Sequence, residues 1–236
     1  MPFARIFPIA GLLLSLPSLA TAQAQFTFGP CVGGGLSAVH YSAALPATTR
    51  AGRLAAYQLG AMLQLRYSRV ALQSGLLVVT KGNHETNTYS FQAGGRTVEA
   101  TATFRARYAY LELPLHVAYG PAWARGLQVF GGPYGAVGVG GRYHSEYQQF
   151  DEQGNYLGTQ VNDSPVRYAG LFFQSGGPRT FDYGLNAGLG YARGRWLAQA
   201  QYSWGLCNLF GYARSADFRQ YHRTAALTLT YWLLTP

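Results

Sequence analysis

Residues 107–119, Arg-Tyr-Ala-Tyr-Leu-Glu-Leu-Pro-Leu-His-Val-Ala-Tyr, restrict the fold of this chain more than any other stretch. Ala109, Leu111, Leu113, Leu115, Val117 and Tyr119 make an unbroken apolar row, while Tyr108, Tyr110, Glu112, Pro114, His116 and Ala118 make a mixed, mostly polar one. A period of two over so many residues specifies a strand with unlike faces. Strands of soluble sheets commonly run about 5–6 residues, whereas a strand tilted across a bilayer needs about 9–11. The length therefore points to a membrane-spanning strand, provided that the chain supplies partners of the same kind.

Seven further candidates do so. The first strand, about Phe28 to His40, is glycine-rich at Gly33, Gly34 and Gly35, and its faces stay unassigned. In the second, Tyr57, Leu59, Ala61, Leu63, Leu65 and Tyr67 alternate with Gln58, Gly60, Met62, Gln64 and Arg66, with tyrosine at both ends as in the aromatic girdles of a lipid-embedded barrel. After a Ser68-Arg69 turn, the third sets Val70, Leu72, Leu76 and Val78 against Gln73, Gly75 and Lys81. Thr86–Gln92 and Thr97–Phe104, flanking Gly94-Gly95, predict a hairpin that projects beyond the membrane. The fifth strand, about Leu127 to Tyr143, has too many glycines to assign its faces. A long connection, His144 to Arg179, then leads to strands at about Thr180–Ala192, Trp196–Trp204 and Arg223–Leu234. Long connections follow strands one, three, five and seven and short ones follow two, four and six. The expected fold is therefore all-β, an eight-stranded antiparallel up-and-down transmembrane β-barrel with long loops external and short turns periplasmic.

Composition agrees with this fold. Charged residues are 11% of the 236, well below the roughly 25% of soluble domains. Mean hydropathy is near zero, as alternating lipid-facing and lumen-facing residues require. Residues 1–24 read as a signal peptide, with Arg5, an apolar run from Ile9 to Leu19 and an Ala22-Gln23-Ala24 cleavage site, leaving 25–236 as the barrel domain. No other segment reaches about 18 consecutive apolar residues, so a membrane-embedded mature chain has to cross as a barrel.

Several segments resemble the PorT-like outer-membrane β-barrel domain family of Bacteroidota. They are Leu72-Gln73-Ser74-Gly75-Leu76-Leu77 through Lys81-Gly82, Tyr110-Leu111-Glu112-Leu113-Pro114-Leu115, Gly131-Gly132-Pro133-Tyr134, and Phe181-Asp182-Tyr183-Gly184 with Tyr202-Ser203-Trp204-Gly205-Leu206-Cys207-Asn208. The resemblance spans nearly the whole mature chain and implies a shared fold without catalytic residues. Gly75 stands where that family often has a lumen-facing glutamate. The chain closes on Leu234-Thr235-Pro236, which leaves any assembly signal to Tyr231 and Trp232.

The formal charge of +9 comes almost wholly from arginine. An exported chain without a basic helix is not a nucleic-acid binder. Arg50, Arg53, Arg96, Arg142, Arg167, Arg179, Arg214, Arg219 and Arg223 map to external loops or strand tops, where they are placed to pair with phosphates of lipopolysaccharide; a solvated loop surface is the plainer alternative. Outer-membrane lipid and lipopolysaccharide are the expected partners, and the sequence names no protein partner. On the predicted lumen rows Arg66, Gln73, Lys81, Glu112, His116 and Asp182 form a polar cluster together with Gln64, Asn186, Gln199 and Gln201. In so narrow a barrel this reads as a plug, with Glu112 paired to a lumen arginine or lysine, rather than as a proton or substrate relay.

No cofactor is expected. The five histidines are scattered and the two cysteines form no C-x-x-C pair, so no metal site is predicted. His40-Tyr41-Ser42 places a histidine near a serine without an identifiable acidic partner, which leaves no catalytic site to name. Cys31 and Cys207, assigned to opposite rims, are predicted to be free thiols, each open to alkylation in the folded protein. The reading is an integral outer-membrane barrel with a structural or binding role. Its alternatives are a soluble lipocalin-like barrel holding an apolar ligand, which would bury the leucine rows, and a lipid-modifying barrel enzyme.

Overall fold

Residues 24–123, 125–169, 177–210 and 219–233 are described by the computed structural model. The expected leader, except Ala24, lies outside these residues, as do Arg214 and the carboxy-terminal 234–236. The alternating rows fold into β1 (Gln25–Tyr41), β2 (Thr49–Gly52), β3 (Leu54–Tyr67), β4 (Val70–Ala93), β5 (Arg96–Tyr119), β6 (Leu127–Phe150), β7 (Tyr156–Pro165), β8 (Phe181–Arg193), β9 (Trp196–Gly205) and β10 (Gln220–Tyr231). Apart from β2 and β7, they pair antiparallel in the ring β1-β3-β4-β5-β6-β8-β9-β10, and β10 returns to β1 with Cys31 opposite Thr230. Closure satisfies the wall's backbone groups without leaving an edge in lipid.

The wall's two faces divide as the period-two pattern requires. Leu59 is 64% exposed and Leu227 69%, whereas Glu112 is 3% exposed. Leu63, Leu111, Leu115 and Leu229 face outward as well. Such a continuous apolar exterior overturns the soluble lipocalin-like alternative, since water-facing apolar patches rarely exceed a few hundred Å². Tyr67, Tyr119, Tyr191 and Trp196 ring the exterior near the short turns, and Tyr57, Phe181, Tyr183 and Trp204 ring it towards the other end. Along β3 the ten steps from Tyr57 to Tyr67, at about 3.3 Å each and a tilt of about 45°, give an apolar band about 23 Å tall, close to the roughly 25 Å of outer-membrane barrels.

The glycine-rich strands acquire definite faces. On β1, Thr27, Cys31, Ser37 and Val39 point inward, while Phe26, Val32 and Leu36 point outward. On β6, Gln128, Phe130, Tyr134 and Ala136 point inward. A bulge opposite the Ala109/Tyr110 step leaves Val139 unpaired, so beyond it the even residues of β6 face outward and Tyr143, Ser145 and Tyr147 face inward. Gly138 leaves the space that the Tyr168 ring occupies: a Cβ there would lie 2.3 Å from its Cε1. The Tyr168 hydroxyl reaches the carbonyl oxygens of Ala109 and Gly140 at 2.9 and 3.0 Å, pinning the chain beyond β7 to the bulge.

Two sequence expectations about the long connections need correction. Residues 144–179 are not a loop throughout: β6 continues to Phe150, and β7 returns beside it through a turn where Asp151 Oδ1 accepts the Asn155 amide at 2.7 Å. Likewise β2 pairs with β4, Thr49 opposite Asn87. These pieces stand clear of lipid, so neither face needs an apolar row, and the periodic signal disappears although the backbone pairing persists. The tips of the two projecting hairpins meet, Arg96 Nη2 donating to Asn155 Oδ1 at 2.8 Å. Cys31 and Cys207 are both free thiols, but both are buried, which corrects the expectation that each reacts in the folded protein. Alkylation is instead expected to report unfolding.

Candidate functional site

Inward-facing side chains fill the barrel in tiers. Nearest the short turns, the half-buried Arg66 donates to Gln128 Oε1 at 3.1 Å. Above it runs an amide chain: Gln199 donates to Gln73 at 3.1 Å, and Gln73 donates to Gln64 at 2.8 Å. Next, Asn186 Nδ2 lies 3.1 Å from His116 Nε2, and the imidazole packs on Phe130 at 5.3 Å between centroids. The predicted polar residues therefore share the lumen without sharing one site. Arg66, Gln73 and His116 belong to separate hydrogen-bonded groups, although Gln73 and His116 stand opposite each other on neighbouring strands.

Lys81 anchors the remaining group. It is the only lysine in the chain and is 4% exposed. Its Nζ lies 2.8 Å from Glu112 Oε2 and 2.8 Å from Asp182 Oδ2. The Tyr134 hydroxyl donates to the same Asp182 oxygen at 3.2 Å, and the Tyr134 ring lies 4.0 Å from the ammonium. Lys81 stands on β4, Glu112 on β5, Tyr134 on β6 and Asp182 on β8, so the lysine reaches across the lumen and ties four wall strands together. Each of these four residues also falls in a different one of the scattered segments that carry the family resemblance. One cation facing two carboxylates is a buried, charge-assisted knot. A cavity beside it, bordered by Gln58, Gln201, Ser203 and Thr224, measures about 10 Å³, room for a single water.

Tyr108, Tyr110 and His222 close the tier above, with the Tyr110 hydroxyl 3.4 Å from His222 Nε2. Tyr134 and His222 were not recognised in the sequence as members of the lumen group. The glycines of β6 concealed the phase of Tyr134, and His222 precedes the strand start read from the apolar row. The His40–Ser42 pair does not assemble as a catalytic unit among the described residues: His40 is exposed on the outer face, and Ser42 Oγ accepts the Arg219 amide at 2.7 Å.

Outside, above the upper girdle, Arg105 and Arg107 project from β5 and Arg142 from β6. The register sets Arg107 directly opposite Arg142, and the Arg107 guanidinium lies 5.8 Å from the Tyr57 ring centroid. Arg105 lies 3.7 Å from Glu146, but neither Arg107 nor Arg142 has an acidic partner within 4.0 Å among the described residues. Beside them, hydrogen bonds donated to the Glu146 and Asp163 carboxylates hold the half-buried His144 above the usual imidazole range.

The chain matches the family model described as outer membrane protein beta-barrel domain over residues 23–211. None of the curated proteins compared with it matches. Among solved structures it is similar to Ail, the attachment invasion locus protein of Yersinia pestis, solved with the heparin analogue sucrose octasulfate (10% identity, 89% of this chain and 99% of that one, TM-score 0.31). It is similar also to Neisserial surface protein A (9%, 86% and 96%, 0.36) and to the N-terminal β-barrel domain of Pseudomonas aeruginosa OprF (13%, 89% and 100%, 0.25). With the model matched over most of its length, a closed ring of antiparallel strands and an apolar exterior, the chain belongs to the outer membrane protein beta-barrel domain family and resides in the outer membrane as an integral barrel with a structural or binding role.

Proposed function

We propose that this barrel is a non-catalytic, side-chain-plugged membrane scaffold whose external arginine collar binds the phosphates of lipopolysaccharide. The cross-strand pair Arg107 and Arg142 carries the reading. Like charges directly opposite each other on neighbouring strands destabilise a sheet. A phosphate held bidentately between two guanidinium groups reverses that penalty, each charge-assisted hydrogen bond contributing about 1.5–3 kcal/mol. The resemblance to PorT-like barrels belongs to this proposal, supported by the convergence of its segments on Lys81.

Adding lipopolysaccharide to the purified barrel is expected to raise its midpoint of thermal unfolding. The Arg107→Gln/Arg142→Gln variant should lose most of that gain, whereas Arg69→Gln, at the short-turn end, should keep it. Equal stabilisation of all three proteins would remove the collar from the proposal. The long connections are assigned to the cell exterior. A protease site or tag at Gly94 or Gly154 is therefore expected to be reached on intact cells and one at Ser68 or Gly194 to be protected. Access to both sets from outside would reverse or abolish this orientation.

A further inference from the structure

Between the inner face of the projecting strands and the chain after β9 lies a cleft of about 410 Å³, within the range of small-ligand sites. Apart from Ala106, its apolar lining is aromatic: Phe104, Tyr108, Tyr143, Tyr147 and Phe210. Phe104 and Tyr147 pack edge to face at 5.2 Å between centroids, and Tyr108 and Tyr143 at 5.9 Å. The β6 bulge produces this arrangement, because without the extra residue Tyr143 and Tyr147 would face outward and Arg142 inward.

Glu85, on β4, supplies the cleft's carboxylate. Tyr41 donates its hydroxyl to Glu85 Oε1, and Asn83 Nδ2 donates to the same oxygen at 2.6 Å. The group is thus oriented by neutral donors, and it has no salt bridge among the described residues. The bases bordering the cleft are engaged with other acids: Arg105 pairs with Glu146, and His144 with Glu146 and Asp163. One tier deeper, Lys81 is outnumbered by Glu112 and Asp182. The chain carries a net +9, yet among the described residues that line the cleft Glu85 is a carboxylate set among aromatic rings.

We infer that this cleft binds an alkylammonium group, with Glu85 as its counter-ion and the tyrosine and phenylalanine faces as its cage. Aromatic faces attract cations through the ring quadrupole; a quaternary ammonium offers the charge with an apolar skin, and a primary ammonium offers the charge with N–H donors for the carboxylate. The site lies on the inner face and is independent of the outward arginine collar, so loss of lipopolysaccharide binding leaves the inference intact.

The test is titration of the whole barrel in a polyoxyethylene detergent, which carries no ammonium headgroup. The probes are choline, ethanolamine and the neutral choline isostere 3,3-dimethylbutan-1-ol, followed by calorimetry or ligand-observed NMR. Choline or ethanolamine is expected to bind at least about tenfold more tightly than the neutral isostere, a difference of about 1.4 kcal/mol. Glu85→Gln should remove that preference, and Phe104→Leu, which leaves the carboxylate in place, should weaken the cation. Heat-modifiable migration of both variants establishes that they fold. Equal binding of the isostere, an unchanged preference in folded Glu85→Gln, or no binding of either ammonium would overturn the inference.

Discussion

Lys81→Met is expected to destabilise the folded barrel by about 3–5 kcal/mol, the usual result of removing one partner from a buried ion pair. The size of the effect follows from what remains. Glu112 and Asp182 would face each other in a filled lumen, having lost the ammonium that lies 2.8 Å from both. Burial is costly for an unpaired carboxylate, and among the described residues Asp182 would retain only the Tyr134 hydroxyl as a hydrogen-bond donor. The other single changes separate this account from a simple packing loss. With one cation for two anions, Glu112→Gln leaves a balanced Lys81–Asp182 pair and should cost no more than about 1 kcal/mol. The triple variant Lys81→Met/Glu112→Gln/Asp182→Asn should recover much of the loss, because neutral replacements of a buried ionic group are often tolerated. Urea unfolding of the barrel refolded into lipid vesicles measures all three. A Lys81→Met barrel within about 1 kcal/mol of wild type would mean that the lysine contributes packing rather than charge.

What could be read from the residues in order depended on how each strand is solvated. On β3, β5, β8, β9 and β10, lipid lies on one side and the packed lumen on the other, so the row of Leu59 and Leu63 or of Leu227 and Leu229 declares itself. The rows on β1 and β6 were silent because glycine has no side chain to mark a face, and the Val139 bulge then reverses the alternation without any composition signal. The hairpin of β6 and β7 escaped for the opposite reason, since polar residues on both faces suit strands surrounded by water. Lys81, Glu112 and Asp182 could each be placed on the lumen side from parity alone. That they share one site could not, because Lys81 and Asp182 are 101 positions apart and meet only when the ring closes. Parity likewise grouped Arg66, Gln73 and His116 with them, whereas their hydrogen bonds place them in other groups.

Leu113→Arg in bilayers is expected to cost about 2–4 kcal/mol, the penalty for arginine at the midplane of a barrel's lipid face. Position 113 is chosen by geometry. On the outward row of β5 it lies midway between Arg107 of the proposed arginine collar and Tyr119 in the opposite girdle, about 14 Å from each after allowing for strand tilt. It is 55% exposed, so the substitution leaves the lumen untouched and meets lipid alone. Moving the same arginine down the row to Val117 should lower the cost, and at Tyr119 it should fall to about 0–1 kcal/mol, because the guanidinium there reaches the interface. The gradient matters more than any single value. Removal of an apolar side chain from a soluble protein's surface has no reason to depend on height, whereas transfer of a guanidinium into hydrocarbon does. Equilibrium unfolding of the three variants from vesicles gives the profile directly. A flat series, or one steepest at Tyr119, would displace the membrane midplane from Leu113 and with it the placement of the arginine collar at the lipid headgroups.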